Sequence, residues 1–235
     1  MDGTGTGDIR VVVVDLLGTT VDDDGALEGA FVEALGAIGT EPGTTDFEFL
    51  MMHARRSRAY PVRDVIVSMI PNERRAREAL RVFELAFETS IARGDVQPIP
   101  GAQDALIELR ANGMQVCLTD GLPPMSMTLL LEQLGWRALV DLAVAPGPGV
   151  RGFPWPDIAL TAALRLGLDA VSRLAVVGDT TSDLLGGTRA GASVVAGVVT
   201  GAHSVEQLAT APHTHLFPSV ADVAATLSGR AVPVS

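Results

Sequence analysis

The stretch Ile9-Arg10-Val11-Val12-Val13-Val14-Asp15-Leu16-Leu17-Gly18-Thr19-Thr20-Val21-Asp22 decides the architecture. Its first half is an apolar, β-branched run ending in an acid, the pattern of a parallel strand buried on both faces. Gly18, Thr19 and Thr20 then break it. A second such run covers residues 114–119 and is followed by Asp120-Gly121; a third covers 174–177 and is followed by Gly178-Asp179; a weaker fourth covers 193–199. Helical patterns lie between them at 102–112, 125–134, 156–166 and 184–190. Strands alternating with helices predict an α/β fold, a Rossmann-like doubly wound parallel sheet. Such sheets bind ligands beyond the carboxyl ends of their strands, where Asp15, Thr119 and Asp179 all fall.

Residues 21–94 read differently. They hold helical stretches at 25–38 and 72–91, no convincing strand, and most of the arginines of the first half, Arg55, Arg56, Arg58 and Arg63 among them. The expectation is an inserted α-helical cap over 21–94, with 1–20 and 95–235 forming the core. Pro98-Ile99-Pro100-Gly101 would return the chain to that core.

The formal net charge of −11 argues against a nucleic-acid or anionic-membrane partner, since phosphate backbones select basic surfaces. All 17 basic residues are Arg, so lysine chemistry, a Schiff base above all, is excluded. The single cysteine, Cys117, cannot form an intramolecular disulfide and lies in an apolar run, as a buried structural thiol does. Residues 1–7 are polar and Gly-rich, unlike a signal peptide, and no apolar run has the length of a membrane helix. A soluble, cytoplasmic protein is expected.

Three motifs carry chemistry. In Asp15-Leu16-Leu17-Gly18-Thr19-Thr20, a carboxylate at a strand end can attack an electrophile and form a covalent intermediate, while Gly18 admits the transferred group and Thr19 orients the loop. Alone, this is equally a turn-capping Asp. In Thr119-Asp120-Gly121, a hydroxyl and the backbone amides around Gly121 can hold a phosphoryl oxygen, or simply form a turn. In Gly178-Asp179-Thr180-Thr181-Ser182-Asp183, two acids four residues apart suit magnesium, which takes one or two carboxylates and keeps waters, or they cap the following helix. The capping reading weakens because Asp15 stands at another strand end of the same sheet, and clustered acids want a cation. His213 and His215 read as part of a loop near the last strand, because no third ligand lies near them. His53 reads as a packing or surface histidine.

Together these motifs resemble the haloacid dehalogenase superfamily over nearly the whole chain, in the order of its D-x-D-G-T and G-D-x-x-x-D patterns. The stretch DLLGTTVDDDG, from Asp15 to Gly25, and the tail from Thr200 to Val223 are similar to the phosphonatase branch, phosphonoacetaldehyde hydrolase and its phosphonatase-like relatives. The resemblance implies a helical cap after the first motif and Mg2+-dependent hydrolysis of a small phosphorylated or phosphonate metabolite through an aspartyl-phosphate on Asp15. Asp15, the Leu17 carbonyl, Asp179 and Asp183 would organise the metal. Thr119 and the first loop, with Gly18, Thr19 and Gly121, would hold the phosphoryl oxygens. By resemblance alone, a self-associating cap, and so a homodimer, is an open expectation.

Three departures narrow the inheritance. The second acid of D-x-D-G-T is Leu17, which transfers no proton. The cap lysine of phosphonatase has no counterpart; Tyr60-Pro61-Val62-Arg63 lies roughly where it is expected. In the third motif, G-[RK]-P-x-P, the basic position is Phe153 within Gly152-Phe153-Pro154-Trp155-Pro156, leaving Arg151 as the nearest cation. Arg55 and Arg58 are candidates for an anionic substrate, or part of a solvated helix face. Losing a general acid costs about 10²–10⁴-fold in rate and losing an electrostatic stabiliser roughly 10²–10³-fold. A catalytically impaired ligand-binding member of the fold is therefore an alternative. A metal-independent dehalogenase, hinted at by Thr119-Asp120-Gly121-Leu122-Pro123 against S-N-G-x-P, is a weaker one.

Overall fold

The computed structural model describes residues 8–230. Residues 1–7, read above as lacking a leader, lie outside that range. Its centre is a parallel six-stranded sheet made of β1 (Val11–Asp15), β4 (Gln115–Thr119), β5 (Leu142–Val144), β6 (Leu174–Gly178), β7 (Val194–Val198) and β8 (His215–Phe217). The order across the sheet is β5-β4-β1-β6-β7-β8, with every described pair parallel. The expected Rossmann-like doubly wound sheet is what forms.

The alternation of a pleated strand explains the layers. Val12 and Val14 pack on one side with Leu106 and Leu109 of α5 (Ala102–Ala111), Leu130 of α6 (Pro124–Gln133) and Val223 of α10 (Val220–Leu227). Val11 and Val13 pack on the other side with Phe153 and with Ile158 and Ala162 of α7 (Asp157–Arg165). A smaller cluster joins Leu184 of α8 (Thr181–Ala190) to Val195 and to Leu208 of α9 (Val205–Leu208). Cys117 is buried inside β4, and burial pushes its thiol up to about 12. No described helix is long and apolar enough to cross a membrane.

After β1 the chain makes the two-residue strand β2 (Val21–Asp22), which pairs antiparallel with β3 (Gln97–Pro98). Between this neck lie α1 (Ala26–Ala37), α2 (Thr45–Arg56), α3 (Val62–Met69) and α4 (Glu73–Arg93). The sequence pattern names only the first and last of these; α2 and α3 are additions. Phe31 and Phe83 meet at 4.8 Å between ring centroids and fasten α1 to α4.

Candidate active site

The sheet order puts β1 between β4 and β6, so three strand ends that carry polar residues are neighbours. Asp15 stands in register with Thr119. Asp179 follows the last residue of β6, and Asp183 lies in the first turn of α8. Asp15, Leu17, Gly18, Thr119, Asp120, Gly121, Asp179 and Asp183 all line one cavity of about 280 Å³.

The loop after β1 is held by its own backbone. The Leu16 amide donates to the Thr119 carbonyl at 3.0 Å, and the amides of Thr19, Thr20 and Val21 converge on the Leu16 carbonyl. Gly18 has φ of 85°, and a side chain there would meet the Asp179 carboxylate at 2.5 Å. The Leu17 carbonyl accepts none of the described hydrogen bonds.

Asp179 is gripped from two sides. The Thr19 hydroxyl donates to Oδ1 at 3.2 Å, and the Ala202 amide donates to Oδ2 at 2.6 Å. The loop that carries Ala202 is tied to the first loop, because the Thr200 hydroxyl donates to the Gly18 carbonyl at 2.6 Å. Gly201 leaves room for this approach, since a Cβ there would lie 2.0 Å from Asp179 Oδ2. Asp183 closes a capping box with Thr180, whose amide and hydroxyl donate to Oδ2 at 2.9 and 2.6 Å. So Asp183 does cap its helix while also facing the cavity.

Sequence reasoning missed Asp120 as a member of this cluster. It is buried, its Oδ2 accepts from the Leu17 amide and its Oδ1 from the Leu122 amide, both at 2.9 Å. It therefore props the residue two places after Asp15. The available signal was an acid directly after the second strand. Asp23 was missed as well; it is buried and accepts from Arg58 at 2.8 Å.

Five buried carboxylates line this cavity, and besides Asp23, which is paired with Arg58, they repel one another. Burial, then repulsion from Asp120, Asp183 and Asp179, holds the Asp15 carboxyl well above its usual range. Burial pushes Asp120 up to about 7, and burial with the Asp179 charge does the same to Asp183. Asp179 is raised less decisively: burial lifts it, and the Ala202 amide and Thr19 hydroxyl oppose that. No three acidic, imidazole or thiol groups among the described residues stand grouped as a complete metal cage. Magnesium needs no such cage, because it keeps several waters and takes one or two carboxylates. Buried acids beside a carbonyl that accepts none of the described hydrogen bonds fit such a cation.

Other expected residues lie apart. Arg151 is 58% exposed, gripped by Asp157 at 2.8 Å and stacked over Trp155, with its guanidinium carbon 4.2 Å from the ring. Arg55 pairs with Glu28, and His53 bonds Ser68; neither lines the cavity. Arg58, in the turn between α2 and α3, does line it. Phe153 also lines it, seated so close to α8 that a Cβ on Gly186 would meet its ring at 2.1 Å. His215 is in β8, stacked on Phe217, rather than in a loop.

A family model described as haloacid dehalogenase-like hydrolase matches residues 9–191. The chain is 29% identical over 208 residues, 86% of each sequence, to a protein of Dickeya dadantii named "Probable phosphatase IndB". It is 38% identical over 104 residues to the phosphonoacetaldehyde hydrolase of Pseudomonas putida, which spans 44% of this chain and 38% of that one. Among solved structures, a hydrolase from Pseudomonas syringae superposes with a TM-score of 0.79 at 21% identity, covering 95% of this chain and 100% of the other. A phosphonoacetaldehyde hydrolase-like protein from Oleispira antarctica does so with 0.77 at 23% identity, covering 95% and 94%.

Proposed function

The chain belongs to the haloacid dehalogenase-like hydrolases, and from that premise we propose that it hydrolyses a small phosphorylated or phosphonate metabolite through an aspartyl-phosphate on Asp15. The observation that carries this reading is the register of Asp15 beside Thr119, in one cavity with Asp179 and Asp183. An Asp15 oxygen attacks phosphorus as the bond to the leaving group breaks, and water then cleaves the acyl phosphate, returning the carboxylate and free phosphate. The Thr119 hydroxyl and the amides near Gly18 and Gly121 bind and orient the phosphoryl oxygens. Asp15, Asp179, Asp183 and the Leu17 carbonyl would hold Mg2+, which when bound supplies positive charge to the phosphoryl oxygens and to the clustered acids. Residues 21–94 act as a cap that closes over the cavity and excludes water.

Leu17 offers no proton to the departing group. Compounds whose leaving groups need none, acyl phosphates and activated esters, are therefore the preferred class. Across a series of aryl phosphates, the rate is expected to fall steeply as the leaving group becomes more basic; a flat series would show that another residue delivers the proton. The defining test measures free phosphate from phosphate monoesters, acyl phosphates and phosphonates, with Asp15→Asn and a chelator as controls. Release that disappears in both controls supports the reading. A folded protein that releases nothing from any compound favours the second reading, a ligand-binding member without turnover, for which Phe153 in the third-motif position speaks. Halide released from a haloacid in the presence of the chelator would favour a dehalogenase.

A further inference from the structure

The electrostatics of the cavity leave one gap. Five buried carboxylates line it, of which Asp23 is paired with Arg58, and an incoming phosphate adds further negative charge. The two basic candidates of the third motif do not fill the gap. Phe153 occupies the position itself, packed so closely against Gly186 that a Cβ there would meet its ring. Arg151 is turned to Asp157, which binds it through three hydrogen bonds, and to the face of Trp155.

One basic side chain lines the cavity among the described residues, that of Arg58. It comes from the helical segment rather than from the sheet. Its position is set by Asp23, whose Oδ1 accepts from the guanidinium at 2.8 Å. Asp23 is fixed in turn, because its Oδ2 accepts from the Leu27 amide at the start of α1 at 2.9 Å. This is the one hydrogen bond described for the Arg58 guanidinium, which has five donors in a fixed fork. The side chain is 34% exposed and lines the cavity.

We propose that Arg58, positioned by Asp23, supplies from the helical segment the positive charge on the transferred phosphoryl group that the third motif, with Phe153, does not supply. This rests on the reading of Asp15 as a phosphoryl acceptor. It makes catalysis conditional on the helical segment lying against the sheet. Opening it would withdraw the cation together with the walls, whereas an arginine on the core would stay in place. Asp23 is a positioning residue, acting through Arg58.

The experiment compares the full chain with Arg58→Ala, Arg58→Lys, Asp23→Asn and, as a charge-matched control, Arg77→Ala, whose exposed side chain pairs with Glu73 within α4 and does not line the cavity. Phosphate release is measured on the best compound of the panel, with kcat and KM separated. Binding of orthovanadate in magnesium buffer is measured beside it by calorimetry. Arg58→Ala is expected to lower kcat by roughly 10²–10³-fold, and to weaken vanadate at least about tenfold. Added guanidinium should restore part of the lost rate, which a merely structural role would not allow. Arg58→Lys should keep more activity than Arg58→Ala, and Asp23→Asn should fall between wild type and Arg58→Ala. The proposal is overturned if folded Arg58→Ala keeps kcat within about twofold while Asp15→Asn is dead; the nucleophile reading then survives alone. It is also overturned if only KM changes, or if guanidinium rescues nothing while Arg58→Lys equals Arg58→Ala. A wild-type chain that neither releases phosphate nor binds vanadate would sink both this proposal and the function it rests on.

Discussion

Asp120 shows how much one side chain can do without touching a reacting atom. Its two oxygens each satisfy a backbone amide, of Leu17 and of Leu122, at the wall of the cavity. Asp120→Ala would leave both amides without a partner, at about 1–3 kcal/mol for each buried group left unpaired. The expected outcome is a fall in melting temperature and a loosened first loop, read as weaker magnesium-dependent stabilisation; an unchanged melting temperature would show that water replaces the carboxylate. Gly201→Ala tests the same wall from the other side, since its Cβ would collide with Asp179. It should abolish any rise in melting temperature with magnesium. Asp15, Thr119 and Asp179 were legible in sequence because each follows or closes an apolar strand, and Asp183 because it lies four residues after Asp179. Asp120 and Asp23 were not, because their importance lies in which amide or guanidinium they meet, and such partners are up to 103 residues away.

Elements were legible in proportion to their burial. β1, β4, β6 and β7 are apolar runs that could belong to little else. β5 and β8 have three residues each and are only partly buried, as edge strands are, so no run marks them. The helix α2 did carry a signal: the Thr44 hydroxyl caps it by accepting from Phe47, and Phe47, Met51 and Ala54 recur at helical spacing. The charges that flank these positions mask it. Packing between elements was invisible to sequence, and α8 is the clearest case. Gly186 is small because Phe153 presses on it. Gly186→Ala is expected to destabilise the protein by about 1–3 kcal/mol through overpacking. A Phe153→Leu change in the same chain should recover part of that loss, read as a non-additive double-mutant cycle in urea unfolding. Strict additivity would mean that the helix simply shifts.

For the molecule as a whole, the acid cluster gives stability an unusual pH dependence. In the unfolded chain Asp120 and Asp183 lose their protons near the ordinary 3.8, whereas in the folded protein they hold them to about 7. Between those values the folded state binds more protons, so stability falls as pH rises from about 4 to about 7 and then levels off. Asp8, Asp157 and Asp169, whose carboxyls are lowered by Arg partners, titrate below this window. Without divalent cations the melting temperature should therefore be higher at pH 5 than at pH 8, and magnesium should raise it more at pH 8, where the acids are free to bind. A melting temperature that climbs steadily from pH 5 to 8 without metal would contradict the cluster's burial. The tie from Thr200 to Gly18 has a further consequence, in time rather than in energy. It spans 182 residues, and the bond from Thr19 to Asp179 spans 160. During synthesis the loop after β1 emerges long before these partners, so the site takes its shape only once both have been made. A growing chain can collapse onto its strands long before four repelling acids are forced together.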